Sequence, residues 1–276
     1  MAVGDRSAGA LADVGVFGGS GLYELLDPAE EIRLDTPYGE PSAPLVIGEV
    51  GGRRVAFLPR HGTDHRFPPH RINYRANVDA MRQAGVGAIF GPCASGSLQP
   101  AVRPGHFVIA DQFVDRTWGR EDTFWDEGEP LHVALAHPYD ERLRRVAIDA
   151  CRAEGVVVHE TGTVVVVQGP RFSTKAESRW FSSQGWEVVN MTQHPEVALA
   201  NEAGIPYAAI ALITDYDAGL EDAPDVSPVT QDEVFGFFRR NLEVVRRVLF
   251  RAVAAVPDDL CPATGTGARG GAPTAG

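Results

Sequence analysis

A one-domain α/β fold, with a mixed central β-sheet flanked by helices, is what the sequence predicts. Three observations carry that prediction. Short runs rich in β-branched and aromatic residues alternate with segments of helical period, the order that builds βα units. The run from Val164 to Val167 is apolar without alternation, as in a strand covered on both faces. Between residues 13 and 257 there is no linker, internal repeat or long charge run, so the folded part reads as a single domain. The ends, 1–12 and 258–276, are small, polar and rich in Gly, Ala and Pro, and are expected to be disordered because they cannot bury enough apolar surface to offset chain entropy.

In chain order, strands are expected at 14–18, 45–50, 54–59, 88–92, 107–114, 162–168, 187–191 and 207–213. A helix is expected over 139–154, where Tyr139, Leu143, Val146, Ala147 and Ala150 make an apolar stripe. Thr174 and Glu177 form a capping-box pattern that opens another helix. Pro195 and Gly204 bracket a third, short one. The last spans 230–256, opening on Thr230 and Glu233 and carrying the stripe Val234, Phe237, Phe238, Leu242, Val245, Val248, Leu249 and Val253.

Composition excludes several functions. Acidic residues number 37 against 25 basic ones, a formal net charge of −12. Such an envelope repels nucleic acid and anionic lipid. No apolar run approaches the ~20 residues of a membrane-spanning helix. The first residues carry no basic segment leading into an apolar one, so a cytoplasmic location is expected. Cys93, Cys151 and Cys261 stand singly, with neither a disulfide framework nor zinc-site spacing.

Five expected strands run directly into small or polar residues unsuited to a core. These are Gly18-Gly19-Ser20-Gly21, Arg60-His61-Gly62, Cys93-Ala94-Ser95-Gly96-Ser97, Asn190-Met191-Thr192 and Thr214-Asp215-Tyr216-Asp217. Ligands of α/β sheets sit beyond the carboxyl ends of strands, so the five together predict one composite site, although any single cluster could be turn chemistry. The glycine-serine turn offers N–H groups and a hydroxyl to an anion. It lacks the third glycine of a dinucleotide fingerprint and the Gly-Lys-Ser/Thr of a P-loop.

From Arg60 to Arg75 the chain carries His61, His65, Arg66, His70 and Arg71 against Asp64 alone. This basic island, with the glycine turns, is expected to make one positive pocket that clamps phosphate. The alternatives are a solvated loop or a metal held by His61 and His65. Gly62 disfavours the helix that such a metal pair would use, and no Glu follows His61 as a metalloprotease motif demands, so no metal is expected. Asp215 and Asp217 flank Tyr216 at the last strand end. They form either an exposed acidic turn or an enclosed carboxyl whose raised pKa lets it donate a proton. An anion clamp at one end and a proton donor at the other suit displacement of a basic leaving group by phosphate.

Seven stretches, taken in order from about Val14 to Phe250, carry a family likeness: Phe17-Gly-Gly-Ser-Gly-Leu22, Pro59-Arg-His-Gly-Thr-Asp-His65, Asn73-Tyr-Arg-Ala-Asn77, Asp111-Gln-Phe-Val-Asp-Arg-Thr117, Gln168-Gly-Pro-Arg-Phe-Ser173, Asn190-Met-Thr192 with Pro195-Glu196, and Thr214-Asp-Tyr-Asp217. They resemble the trimeric purine nucleoside phosphorylase family, and within it the S-methyl-5′-thioadenosine phosphorylase branch. The resemblance implies a nucleoside phosphorylase fold, a homotrimer with active sites near subunit interfaces, and cleavage of an N-glycosidic bond by inorganic phosphate. Phosphate is then a co-substrate, and no metal or organic cofactor is required. It would sit against Ser20, Arg60, His61, Cys93, Ala94 and Thr192. Met191 would lie under the ribose beside Asn190, and Phe172 would pack on the purine near Ser173. Asp215 and Asp217, with Thr214, would hold the base at N7 and the 6-amino group, and a protonated Asp215 would neutralise the departing purine. His132 would reach the 5′ substituent of a neighbouring subunit's substrate, with Gln231, Val234 and Phe235 near that pocket.

Base preference follows from hydrogen-bond matching. Family members acting on 6-oxopurines typically have asparagine in place of Asp215 and glutamate in place of Ser173. A carboxylate accepts from a 6-amino group, and leaving a buried partner unpaired costs ~1–3 kcal/mol. Both positions point to adenine. Two departures bear on the detail. Cys93 stands where threonine is usual, and Gln231 where the methylthio branch tends to have a small apolar residue. A glutamine could hydrogen-bond a 5′-hydroxyl or face solvent, so adenosine, or a broader or 5′-polar nucleoside range, stays open beside methylthioadenosine. A non-catalytic nucleoside or phosphate binder is the alternative of another class, and intact Asp215, Arg60 and His61 argue against it. Gln193-His194 is a further unusual pair.

Overall fold

The computed structural model describes residues 9–18, 30–126, 131–220 and 230–261, the side chains of Gln231 and Glu233 excepted. In chain order the elements are β1 (Val14–Gly18), β2 (Glu30–Ile32), β3 (Leu45–Val50), β4 (Arg53–Pro59), α1 (Tyr74–Gln83), β5 (Ala88–Ser97), β6 (Phe107–Val108), β7 (Gln112–Arg116), α2 (Glu141–Ala153), β8 (Val158–His159), β9 (Thr163–Val167), α3 (Lys175–Ser183), β10 (Val188–Asn190), α4 (Gln193–Glu202), β11 (Tyr207–Tyr216) and α5 (Gln231–Ala254). Short helical turns lie at Pro69–Arg71, Ala218–Leu220 and Asp258–Leu260.

The strands join one mixed sheet whose middle is β5. β1 pairs in parallel with the first half of β5, Val14 beside Ala88 and Val16 beside Phe90. β10 pairs antiparallel with its far end, Val188 beside Ser97 and Val189 beside Gly96. β11 runs parallel along the opposite edge, from Tyr207 beside Ile89 to Tyr216 beside Ser97. The carboxyl ends of β1 and β10 therefore point at each other across residues 91–95 of β5, with which no described strand pairs on that edge. A sheet that changes direction in this way opens a crevice at the fork.

Helices cover both faces. α1 and α4 pack together on one, where Phe17, Leu58, Ile89, Val197 and Ile213 share a buried cluster. α2 and α5 pack together on the other, over Val16, Phe57, Phe90 and Leu212. Neighbouring strand residues thus feed opposite cores, as the pleat requires. α3 lays Phe181 on Val165, Val167 and Val189. Its capping box is formed: Thr174 Oγ1 accepts from the Glu177 N–H at 3.2 Å, and Glu177 Oε2 accepts from the Thr174 N–H at 2.7 Å. No helix among the described residues is long and apolar enough to cross a membrane.

Several expectations are corrected at the level of elements. The strand expected over 107–114 is two, β6 and β7, which pair with different partners. Asp111 turns the corner between them, its Oδ1 accepting from the Gly162 N–H at 2.8 Å. β5 continues past residue 92 and β11 past 213, so two of the five polar clusters lie within strands, because β5 and β11 stay paired to their ends. α1 lacks a clean apolar period, since Asn77 and Asp79 are among its buried residues, and the sequence reading missed it. The chain is also ordered beyond both expected limits. The Leu11 and Ala12 N–H groups donate to Ala84 O and Ala12 is buried, while Leu260 is buried and Arg53 pairs with Asp258. Residues 1–8 and 262–276 lie outside the described residues.

Candidate active site

The fork opens into a cavity of about 370 Å³. Fourteen residues expected at the site line it: Arg60, His61, Cys93, Ala94, Phe172, Ser173, Asn190, Met191, Thr192, Thr214, Asp215, Asp217, Val234 and Phe235. They come from the ends of β4, β10 and β11, the middle of β5, the segment before α3 and the first turns of α5. Ser20 and the Gln231 side chain lie outside what is described, and His132 is exposed and apart from its own chain's cavity. A second depression, of about 480 Å³, lies on the α2–α5 surface, where Arg247 and Arg251 both pair with Glu154. None of the polar clusters reaches it.

At one end of the cavity Arg60 follows β4 directly, its N–H on Gly18 O. Its guanidinium is buried and gripped by Glu196, Nε to Oε2 at 2.9 Å and Nη2 to Oε1 at 2.8 Å, while Nη1 donates to Pro92 O at 2.9 Å. Burial opposes the charge, but Glu196 outweighs it and the pKa is raised. His61 is neutral: burial first, then His65 and Arg60, lower its pKa to about 3. Its ring stacks on His65 at 4.2 Å, and His65 meets Phe235 edge-on at 5.2 Å.

The single positive pocket expected from the basic island is therefore corrected. Arg66 is exposed with Asp64, Arg75 pairs with Glu121 and Asp126, and His70 and Arg71 face solvent. Of its basic residues only Arg60, His61 and His65 reach the cavity, because the irregular backbone after β4 points successive side chains in different directions. No group of three or more His, Cys, Asp or Glu among the described residues could hold a metal ion.

Thr192 sits at the start of α4, but Asn190 caps that helix. Its Oδ1 accepts from the Thr192 N–H at 2.8 Å and the Gln193 N–H at 3.0 Å. The Thr192 hydroxyl makes no capping bond and remains on the cavity wall. Cys93 and Gln193 now explain each other. Gln193 is fully buried, donates from Nε2 to Gly91 O and Cys93 Sγ at 3.5 Å each, and accepts from Tyr139 at 3.3 Å. His194 points elsewhere, stacked on Phe113 with Asp115 and Asp122 beside its Nε2.

The other end is built on β11. A register shift between Ile213 and Asp215 breaks the strand's alternation where apolar residues give way to carboxylates. Gly96 lies opposite: a Cβ there would stand 3.1 Å from Asp215 Oδ2. Thr214 Oγ1 donates to Asp215 Oδ1 at 2.7 Å, and Asp215 is half-buried. Asp217 is the enclosed carboxyl, 2% exposed. Burial raises its pKa against the pull of the Ser178 and Ser173 hydroxyls and the Ala218 N–H. Asp217 Oδ2 and Ser173 Oγ are buried and neither closes a hydrogen bond of good distance and angle, the Ser173 hydroxyl standing near the carboxyl without completing one.

Two residues of the site's frame had escaped sequence reasoning. Glu196 was visible only as part of a motif, with nothing to tie it to Arg60, 136 positions away. Arg120 ties the cavity wall from behind. It donates to the main-chain oxygens of Gln168 (2.8 Å), Met191 (3.0 Å) and His194, to Gln168 Oε1 (3.2 Å) and to the Tyr74 hydroxyl (3.3 Å).

Residues 13–254 match the family described as the phosphorylase superfamily, and the chain belongs to that family. It is 51% identical over 255 residues to a purine nucleoside phosphorylase of Streptomyces coelicolor, covering 89% of this chain and 90% of the relative. It is equally 51% identical over 244 residues to an S-methyl-5′-thioadenosine phosphorylase of Mycolicibacterium smegmatis, covering 88% and 91%. Among solved structures, methylthioadenosine phosphorylase from Schistosoma mansoni in complex with tubercidin is similar at a TM-score of 0.83 and 40% identity, covering 88% of this chain and 91% of that one.

Proposed function

We propose that this chain catalyses phosphorolysis of a 6-aminopurine nucleoside, converting S-methyl-5′-thioadenosine and phosphate into adenine and 5-methylthioribose 1-phosphate. The observation that carries the reading is the pair of buried, unpartnered atoms, Ser173 Oγ and Asp217 Oδ2, on the wall of a cavity whose other end holds Arg60 and Thr192. An unmade hydrogen bond at a buried polar atom costs ~1–3 kcal/mol, which a ligand with matching edge groups recovers. The relatives' names add the substrate class.

In this reading phosphate sits against Arg60, His61, Cys93, Ala94 and Thr192, below the ribose. A phosphate oxygen bonds to C1′ as the bond from C1′ to the purine nitrogen breaks, and the electron pair leaves with the base. A carboxyl of the Asp215–Asp217 pair gives N7 the proton that neutralises it, and an aspartate oxygen accepts from the 6-amino group. Phe172 packs on the purine, Met191 under the sugar, and Val234 and Phe235 beside the 5′ group. The assembly is a cytoplasmic homotrimer, in which His132 serves a neighbour's site.

A second reading, adenosine or a broader purine nucleoside range, is favoured by the Streptomyces relative's name. Phosphate-dependent kcat/KM for methylthioadenosine, adenosine and inosine, measured side by side, tests both. Methylthioadenosine is expected to lead and inosine to trail. Adenosine in the lead supports the second reading, and no turnover of any of the three leaves a binding protein.

A further inference from the structure

Among the described residues lining the cavity Arg60 is the only formal cation, and its charge is matched inside the protein by Glu196. Both side chains are almost completely buried, 2% and 1% exposed. Glu196 is fixed in turn by the Tyr207 hydroxyl, which donates to Oε1 at 2.6 Å. Gly91 makes this possible, since a Cβ there would stand 1.7 Å from the Tyr207 hydroxyl and 3.2 Å from Glu196 Oε1.

The other described residues that line this end add no charge. His61 is neutral, and its Nδ1 lies 2.8 Å from Phe67 O. A carbonyl only accepts, so Nδ1 carries the ring proton and Nε2 is left as an acceptor. His65 is shifted down by burial, and Tyr207 and the Cys93 thiol are shifted up by it, so all three are uncharged. Arg120 stands outside the lining and keeps its charge, and the carboxylate that acts on it there is Asp115. Asp215 and Asp217 belong to the other end.

We propose that Glu196 is a positioning residue that, by balancing the charge of Arg60, sets the anion end to zero net charge, so that this end takes phosphate as its monoanion and holds dianions weakly. The chemistry rests on the phosphorolysis reading; the test does not. A monoanion offers one P–O–H to the His61 Nε2 lone pair, while its other oxygens accept from Arg60 and Thr192. The phosphate dianion still has one P–O–H for that nitrogen and sulfate has none; what weakens both is the second charge, which the buried pair leaves uncompensated.

Anion binding by calorimetry to the full chain, without nucleoside, tests this. Wild-type affinity for phosphate is expected to follow the monoanion fraction as pH rises through phosphate's second ionisation. Sulfate, a dianion of the same shape, is expected to bind at least about tenfold more weakly than monoanionic phosphate. Glu196→Gln removes the charge at nearly constant size and is expected to bind sulfate about tenfold more tightly than wild type. Tyr207→Phe keeps the charge and is expected to leave sulfate affinity within about threefold. Tighter binding is a result that a merely damaged fold does not produce. Wild-type preference for the dianion, or sulfate affinity unchanged or weaker in Glu196→Gln, overturns the proposal. Should that variant fail to fold, the wild-type pH series decides alone. Absence of nucleoside turnover would remove the phosphorolysis reading and leave these affinities just as readable.

Discussion

Asp215 and Asp217 stand two positions apart on one strand end, yet their surroundings give them different work. Asp215 is half-open, takes a hydroxyl from Thr214 and faces Gly96. Asp215→Asn is expected to cut turnover of adenine nucleosides by more than about tenfold while improving relative use of inosine, because an amide donates where the carboxylate accepts. Undiminished cleavage of methylthioadenosine by that variant would remove Asp215 from the proton-donor role. Asp217 makes a stability prediction. Its carboxyl is raised above the ordinary 3.8 by burial, so the folded chain binds that proton more tightly than the unfolded chain does. Stability from this group is therefore lost as pH rises from 3.8 through the folded value, and is unaffected below 3.8. Asp217→Asn abolishes the dependence, and its Tm relative to wild type should climb with pH across that window. A difference that does not vary with pH would show that Asp217 titrates as an exposed aspartate does.

At the scale of elements, β9 and β10 lie side by side and both end at the cavity, one leading to Phe172 and the other to Thr192. Their pairing, Val188 with Val164 through Asn190 with Val166, sets their register but not the separation of the chains beyond it. Arg120 supplies that constraint with its planar fork, Nη2 donating to both Gln168 O and Met191 O and Nη1 to His194 O. Arg120→Lys retains the charge and loses the fork. The expected result is a fall in kcat of about tenfold or more with the KM values for both substrates within about threefold, since base and phosphate still bind but are no longer aligned. Steady-state kinetics with both substrates varied separates this from a binding defect, in which the KM values rise and kcat holds.

For the whole molecule, the net charge of −12 describes the envelope and not the site. The Arg60 end of the cavity is balanced by its buried pair with Glu196, so among the described residues the cavity carries no excess positive charge to set against the acidic surface. Assembly is the second property at this scale. His132 is exposed and away from its own cavity, which suits service to a neighbour. Mixed oligomers of His132→Ala and Asp215→Asn subunits are expected to turn over methylthioadenosine faster than either parent, because some sites then combine an intact residue from each chain. A mixture no more active than its parents would place His132 outside the site.

The alternation of strand and helix, the Thr174–Glu177 cap, the helix stripe from Val234 to Val253 and the polar residues at strand ends were all legible in the sequence. Each depends on backbone period or on residues close along the chain. The gathering of Arg60, Cys93, Ser173, Thr192 and Asp217 around one cavity could be anticipated because strand ends converge in such sheets. What the basic run from Arg60 to Arg75 does was not legible. Its charges are dispersed by backbone geometry and neutralised by Glu121, Asp126 and Glu196, which come from distant segments. The sequence by itself thus determined the architecture and which strand ends meet at the cavity. Only the tertiary structure decided their charge states, because protonation depends on burial and on partners across the fold, and it alone brought in Glu196 and Arg120.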